Sequence, residues 1–305
     1  MEKAVSSRLW ARVTDSAPWS RRDSMGHLVY DSKMWILGGW TPERVNDVWS
    51  SDNGRDWKQV TSLAPWSERN LPCCLVHDDK MWVMGGAGLS GGEISTYSDV
   101  WNSTDGVNWD QVTDKAAWSA RSAASAVVFD GRMWIMGGMG APEGTAHLND
   151  VWYSSDGLDW EQATDYASWV SRAMHTSVVF DDRIWVLGGG IYDERYFKNS
   201  AIDHRDVWYS TDGSRWYETT GNAQWPPRRF HRSVVYDGKM WVLGGAHFGN
   251  RNDVWHSANG VTWDQLQVGE QWSVRHEPGC LVYDNKMWIM GGFGRDLYND
   301  VWTLG

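Results

Sequence analysis

Basic charge is in short supply in this sequence: 28 Lys and Arg stand against 39 Asp and Glu, a net charge of −11 over 305 residues. Nucleic acid and anionic membrane surfaces are bound through concentrated positive charge, so neither is expected as a partner. Long apolar runs are missing too. None approaches the roughly 20 residues that cross a bilayer, and the opening MEKAVSSRLW has no apolar signal segment. The expectation is a cytoplasmic protein. Cysteine is scarce: Cys73, Cys74 and Cys280 form neither a CxxC pair nor an even set, which argues against a structural zinc site and a disulfide framework. No metal and no cofactor are expected. Cys74 and Cys280 share one repeat position and read as small strand fillers.

What the chain has in excess is tryptophan, 25 residues, and glycine, 32 residues. Both follow a repeat. Six Gly-Gly pairs begin at Gly38, Gly85, Gly137, Gly188, Gly244 and Gly291, a period of 47 to 56 residues. After each pair comes NDVW or a variant, carrying Asp47, Asp99, Asp150, Asp206, Asp253 and Asp300. Two tryptophans nine residues apart come next, then an Arg three further on; from the first of these tryptophans to the Arg the spacing is 12 in every copy. Twenty-four of the 25 tryptophans occupy four fixed repeat positions, and Trp40 alone does not. Only one segment changes length: from the second Gly to the Asp the separations are 8, 13, 12, 17, 8 and 8.

Within a unit, runs such as VVYD and KMWVL are β-branched and aromatic and are split by Asp-Gly, Asp-Asp, Asp-Ser or Asp-Asn, the mark of a tight hairpin. A second pair of short strands follows across another Asp-Gly or Asn-Gly. Each unit therefore holds four strands, a to d, and continuous apolar character in a and b implies sheets covered on both faces. Four-stranded sheets repeated radially make a β-propeller, and six copies make six blades. The spacing divides residues 1–305 into blades at 22–68, 69–120, 121–171, 172–227, 228–274 and 275–305, one domain in all. Residues 1–21 supply the outer strand that the last blade lacks. Closure of this kind removes the open edges of the ring.

The Gly-Gly after strand b, the strand d tryptophan and the period resemble kelch repeats over essentially the whole chain. The c–d turns, best seen at Ser50, Asp52, Gly54 and Trp57, also resemble the Asp-box of sialidase propellers, a turn motif that brings no catalytic residue. The kelch resemblance implies docking of a peptide, protein or small molecule at one face by a chain expected to be monomeric. No metal motif of the enzymatic kelch relatives can be placed on these residues.

Residues repeated in all six units are expected to serve the fold. Arg22, Arg69, Arg121, Arg172, Arg228 and Arg275 lie two strand spacings, about 9.6 Å, from the repeat Asp, so an Arg–Asp pair is expected in each blade, with Gly-Gly clearing its path. The tryptophans read as filling between blades rather than as a stacking surface.

Departures from the repeat are where a function can be written. The variable b–c loops and the d–a connections emerge on one face, since alternate connections of a meander share a side. The two positions after the repeat Arg read Asp23 Ser24, Asn70 Leu71, Ser122 Ala123, Ala173 Met174, Arg229 Phe230 and His276 Glu277. Ionisable groups crowd into blades 5, 6 and 1. Asp23, His276, Glu277 and Arg229 are the candidate catalytic set, able to supply acid, base and anion stabilisation for an isomerase, lyase or cyclase. Candidate ligand-binding residues are Trp40, Asn70, His175, Tyr192, Tyr196, Phe230, His231, Phe248 and Phe293, with Phe197 in the longest loop. Aromatic walls with a few charged groups suit a small-molecule pocket or a peptide-docking surface. Kelch sequences often carry His at the position of His175 and His231, which favours a structural role for that pair. Binding ranks ahead of catalysis, with loop decoration that holds no ligand as the plain alternative.

Overall fold

The computed structural model describes residues 9–90, 92–140, 146–191, 202–267 and 269–305. Six antiparallel sheets, each containing strands a to d, make a six-bladed propeller, and no helix occurs among the described residues. Blade 1 is representative, with strands Gly26–Tyr30, Lys33–Trp40, Arg44–Ser51 and Lys58–Thr61. The last blade is composite. Its strands Gly279–Tyr283, Lys286–Met290 and Val301–Leu304 are completed by the N-terminal strand Trp10–Thr14, which pairs Trp10 with Leu304.

The local chemistry explains the strand breaks. Every a–b hairpin turns on two residues with positive φ, such as Asp31 and Ser32 at 47° and 51° or Asp130 and Gly131 at 50° and 67°. Two left-handed central residues are what a two-residue turn matched to strand twist requires, and Asp, Asn and Gly tolerate them best. The c–d turns also close on side chains. In blade 1 the Ser51 hydroxyl accepts from Gly54 N at 2.8 Å, and Asn53 Oδ1 accepts from Arg55 N and Asp56 N at 2.9 and 2.8 Å. The turn chemistry is that of the expected Asp-box, but it sits on Ser51 and Asn53, one residue beyond the Ser50 and Asp52 read from the sequence.

Between blades the core is aromatic. Trp19, Trp66, Trp118, Trp169, Trp225 and Trp272 each meet a tryptophan of the next blade edge-on, at centroid distances of 5.8–6.1 Å and interplanar angles of 85–90°. That geometry sets a positive ring edge against a negative face. The sixth pair is Trp272 with Trp10, so the N-terminal strand brings the tryptophan needed to seal blades 5 and 6.

All six repeat arginines are paired as expected. Arg121, 1% exposed, holds Asp150 through two bonds of 2.7 Å, and also donates to Gly137 O and Ser119 O. Each Asp accepts a further bond from the tryptophan two residues on, as Asp150 does from Trp152 Nε1 at 2.8 Å. The Gly-Gly pair has a different reason from the one expected. Gly38 and Gly39 have φ of 57° and 116°, and Gly39 N donates to Arg69 O of the next blade at 3.0 Å. A Cβ on Gly38 would lie 2.7 Å from Val45 O, so the glycines provide left-handed backbone and close approach, not a clear path for Arg.

Candidate functional site

The second residue after each repeat Arg is left-handed in every blade: Ser24, Leu71, Ala123, Met174, Phe230 and Glu277 have φ between 51° and 59°. Their backbones form a closed ring around the channel mouth. Each N–H donates to the carbonyl of its counterpart in the preceding blade, Leu71 N to Ser24 O at 2.8 Å and so on around to Ser24 N to Glu277 O at 3.2 Å. Because all six blades adopt it, the strained backbone belongs to the fold; the side chains mounted on it belong to the individual blades.

Four of those side chains are apolar. The other two, Ser24 and Glu277, adjoin across the junction of blades 1 and 6. Ser24 Oγ lies 2.9 Å from Asp23 Oδ1 and 2.5 Å from Glu277 Oε2, and both carboxyl groups belong to residues only 5% exposed. A hydroxyl has one proton to give, so of two carboxyl groups on one Ser oxygen, one must carry a proton of its own. The electrostatics agree. Burial, then the neighbouring Glu277, push Asp23 up to about 8, and burial also raises Glu277 against the opposing pull of the Ser24 bond and Arg232. Glu277 Oε1 has no hydrogen-bond partner among the described residues.

His276 completes the cluster: one ligating atom each from Asp23, His276 and Glu277 lie within 4.8 Å of one another. Its ring stands between Phe230 and Phe293, with centroids 5.3 Å from each. Burial, followed by Arg229 and Arg232, lowers its pKa to about 4, so the imidazole is neutral at pH 7. Three of the four candidate catalytic residues are thus together. The fourth, Arg229, is held by a carboxylate the sequence reading passed over: Arg229 Nη1 bonds Asp203 Oδ1 at 2.5 Å, while Asp203 Oδ2 takes His247 Nδ1 at 2.8 Å. Arg229 therefore tunes the cluster by its field and is bound elsewhere. Also underweighted were Ser24, which links the carboxyl groups, and Arg232, which lines the channel cavity below the ring with Glu277. That cavity is about 150 Å³.

The aromatic candidates divide. Trp40 and Phe293 are backbone-paired to Asp23 and His276, and the Phe293 ring packs on the His276 imidazole. They also wall one groove of about 550 Å³ between blades 6 and 1, with Pro42 and Leu297. Phe230 packs on His276 as described. Phe248 is 98% exposed and lies against His247 with ring centroids 4.3 Å apart and planes tilted by 56°. Asn70 accepts from Arg44 Nε at 2.9 Å. His175 and His231 are 4% and 0% exposed and bond sideways to Ser125 and Thr176 of the preceding blades at 2.8 and 2.9 Å, a place in the scaffold between blades. Tyr192, Tyr196 and Phe197 lie outside the described residues.

Comparison with known proteins agrees with this architecture. No family model matches the chain. Over 127 residues, 42% of its length, it is 27% identical to the Kelch repeat protein M-T8 of Myxoma virus (strain Lausanne), covering 23% of that protein. Over 134 residues, again 42% of its length, it is 27% identical to the Rho GTPase-activating protein gacHH of Dictyostelium discoideum, covering 8% of that protein. These matches span less than a quarter of either relative's length. The repeat, the fold and this partial likeness together make the chain a six-bladed β-propeller with kelch-like repeats.

Proposed function

We propose that this propeller binds a small molecule or a peptide at the loop face, over the junction of blades 6 and 1. A kelch-like propeller is in general a binding scaffold, and the finer assignment rests on one observation. The groove walled by Trp40 and Phe293 adjoins the only ring position that carries a carboxyl group, through backbone pairs to Asp23 and His276. An apolar part of the ligand rests on the two rings. An acidic ligand head is disfavoured there by the buried carboxyl pair.

Native mass spectrometry of gently purified protein, followed by a fragment and short-peptide screen, identifies ligands without presupposing their class. For a ligand found this way, Trp40→Ala and Phe293→Ala each weaken binding by more than about 1 kcal/mol. Unchanged affinity in both variants places the ligand elsewhere on the molecule and refutes the assignment.

A further inference from the structure

The Asp23, His276 and Glu277 cluster has features that ligand docking in the groove does not use. Two carboxyl groups and an imidazole meet with their ligating atoms within 4.8 Å of one another. Donor atoms on a tetrahedral ion bound at about 2.1 Å sit about 3.4 Å apart, so small side-chain rotations suffice to close the set. One donor is already waiting. Glu277 is 5% exposed, and its Oε1 is buried with no hydrogen-bond partner among the described residues. An orphaned buried carboxylate oxygen is costly unless something fills its place.

The imidazole is prepared in the same sense. Asn250 Nδ2 donates to Phe293 O at 3.3 Å and Gly294 O at 3.2 Å, which fixes the amide so that its Oδ1 faces His276 Nδ1 at 2.7 Å. An amide oxygen only accepts, so Nδ1 carries the ring proton and Nε2 keeps a free lone pair. A ring N–H tied to an oxygen acceptor is the arrangement that orients metal-binding histidines. The charges permit a cation as well. Arg229 is offset by Asp203, and an arriving cation displaces the proton held by the carboxyl pair, leaving two carboxylates whose charge exceeds that of Arg232 by one. We propose that Asp23, His276 and Glu277 bind one divalent first-row transition metal ion at the channel mouth. One nitrogen and two oxygen donors suit zinc, cobalt, manganese or ferrous iron, whereas calcium takes six to eight oxygens. Asn250 is a positioning residue for His276.

The inference goes beyond ligand docking and is tested without any organic ligand. Protein stripped with EDTA is titrated with Zn²⁺ and with Co²⁺ by calorimetry, with metal content counted by mass spectrometry after dialysis. The expected result is one ion per chain. Glu277→Gln and Asp23→Asn each weaken binding at least about tenfold, Asn250→Ala by about tenfold, and Tyr166→Ala, at a residue 81% exposed in blade 3, leaves it unchanged. If a carboxyl variant fails to fold, the visible spectrum of Co²⁺ on the unaltered protein decides: bands of a protein-ligated ion support the site, and the spectrum of aqueous Co²⁺ overturns it. Binding below one equivalent, or equal binding by Glu277→Gln, Asp23→Asn and the parent, also overturns it. The titration reads the cluster and the ligand screen reads the groove, so failure of the metal site leaves the docking assignment standing, and the reverse holds too.

Discussion

A single arginine in this molecule answers several needs at once. Arg121 neutralises Asp150, caps the carbonyl of Gly137 at the end of strand b, and lies with its guanidinium 5.8 Å from the centre of the Trp118 ring. Replacing it by Ala leaves Asp150, 15% exposed, with the Trp152 indole and no cation. Arg121→Ala is expected to cost about 2 to 4 kcal/mol in urea unfolding, since an uncompensated, largely buried charge is the expensive outcome. Lost ligand binding at unchanged stability would move Arg121 from the scaffold to the site. This pairing was legible in the sequence because both partners recur in register six times. Asp203 was not. It holds Arg229 from a loop whose length varies between blades, so no other copy marks its place.

At the level of elements, the N-terminal strand has the most exposed task. Trp10–Thr14 gives the last blade its outer strand, and Trp10, 4% exposed, packs on Trp272 across the blade boundary. Removing residues 1–20 takes away a strand and also Trp19, which seals the boundary with blade 1 against Trp57. The melting temperature of the truncated chain is expected to fall by 10 °C or more, on the scale of about 2–4 °C per kcal/mol and about 3–5 kcal/mol per lost core tryptophan. An unchanged melting curve would show that blade 6 closes by other means. The closure was readable from the Trp10–Trp19 spacing at the start together with a last unit, ending in NDVWTLG, that lacks its strand d. The left-handed ring residue was hidden, because positive φ is signalled by Gly or Asn, and Ser24, Leu71, Ala123, Met174, Phe230 and Glu277 are neither. What could be read was that this position differs from blade to blade, which was enough to find the cluster but not to say how the backbone presents it.

For the whole molecule, acidity is a lever on stability. His175 is held neutral down to about 3 by burial and then Arg172, and His231 is likewise lowered well below its ordinary value by burial and then Arg228. An unfolded His takes up a proton near 6.5. Above that value neither state binds the proton and the full stability is present; as pH falls from 6.5 toward about 3, only the unfolded chain gains it. Each of the two histidines therefore removes up to about 1.4 kcal/mol per pH unit in that window. Asp23 acts in the opposite sense, because a native value raised from 3.8 to about 8 makes the folded state the better proton acceptor between them. The comparison that isolates the histidine is urea unfolding of the parent and His175→Gln at pH 7, 6, 5 and 4. The variant is expected to show the shallower acid slope, and parallel slopes would mean that His175 is charged in the folded protein.

The ring of six backbone bonds has one more consequence. The bonds run head to tail in one sense, and the circle has no weak first or last member. It behaves as a collar of fixed bore: widening it at any blade breaks a bond on each side. A guest seated there meets an aperture that stays the same size and changes only in character around its circumference, polar along the arc of Ser24 and Glu277, greasy from Leu71 through Phe230. For the docking proposed above, such a collar would work as a keyhole, taking a two-faced molecule in one rotational setting with its polar edge toward Asp23 and His276.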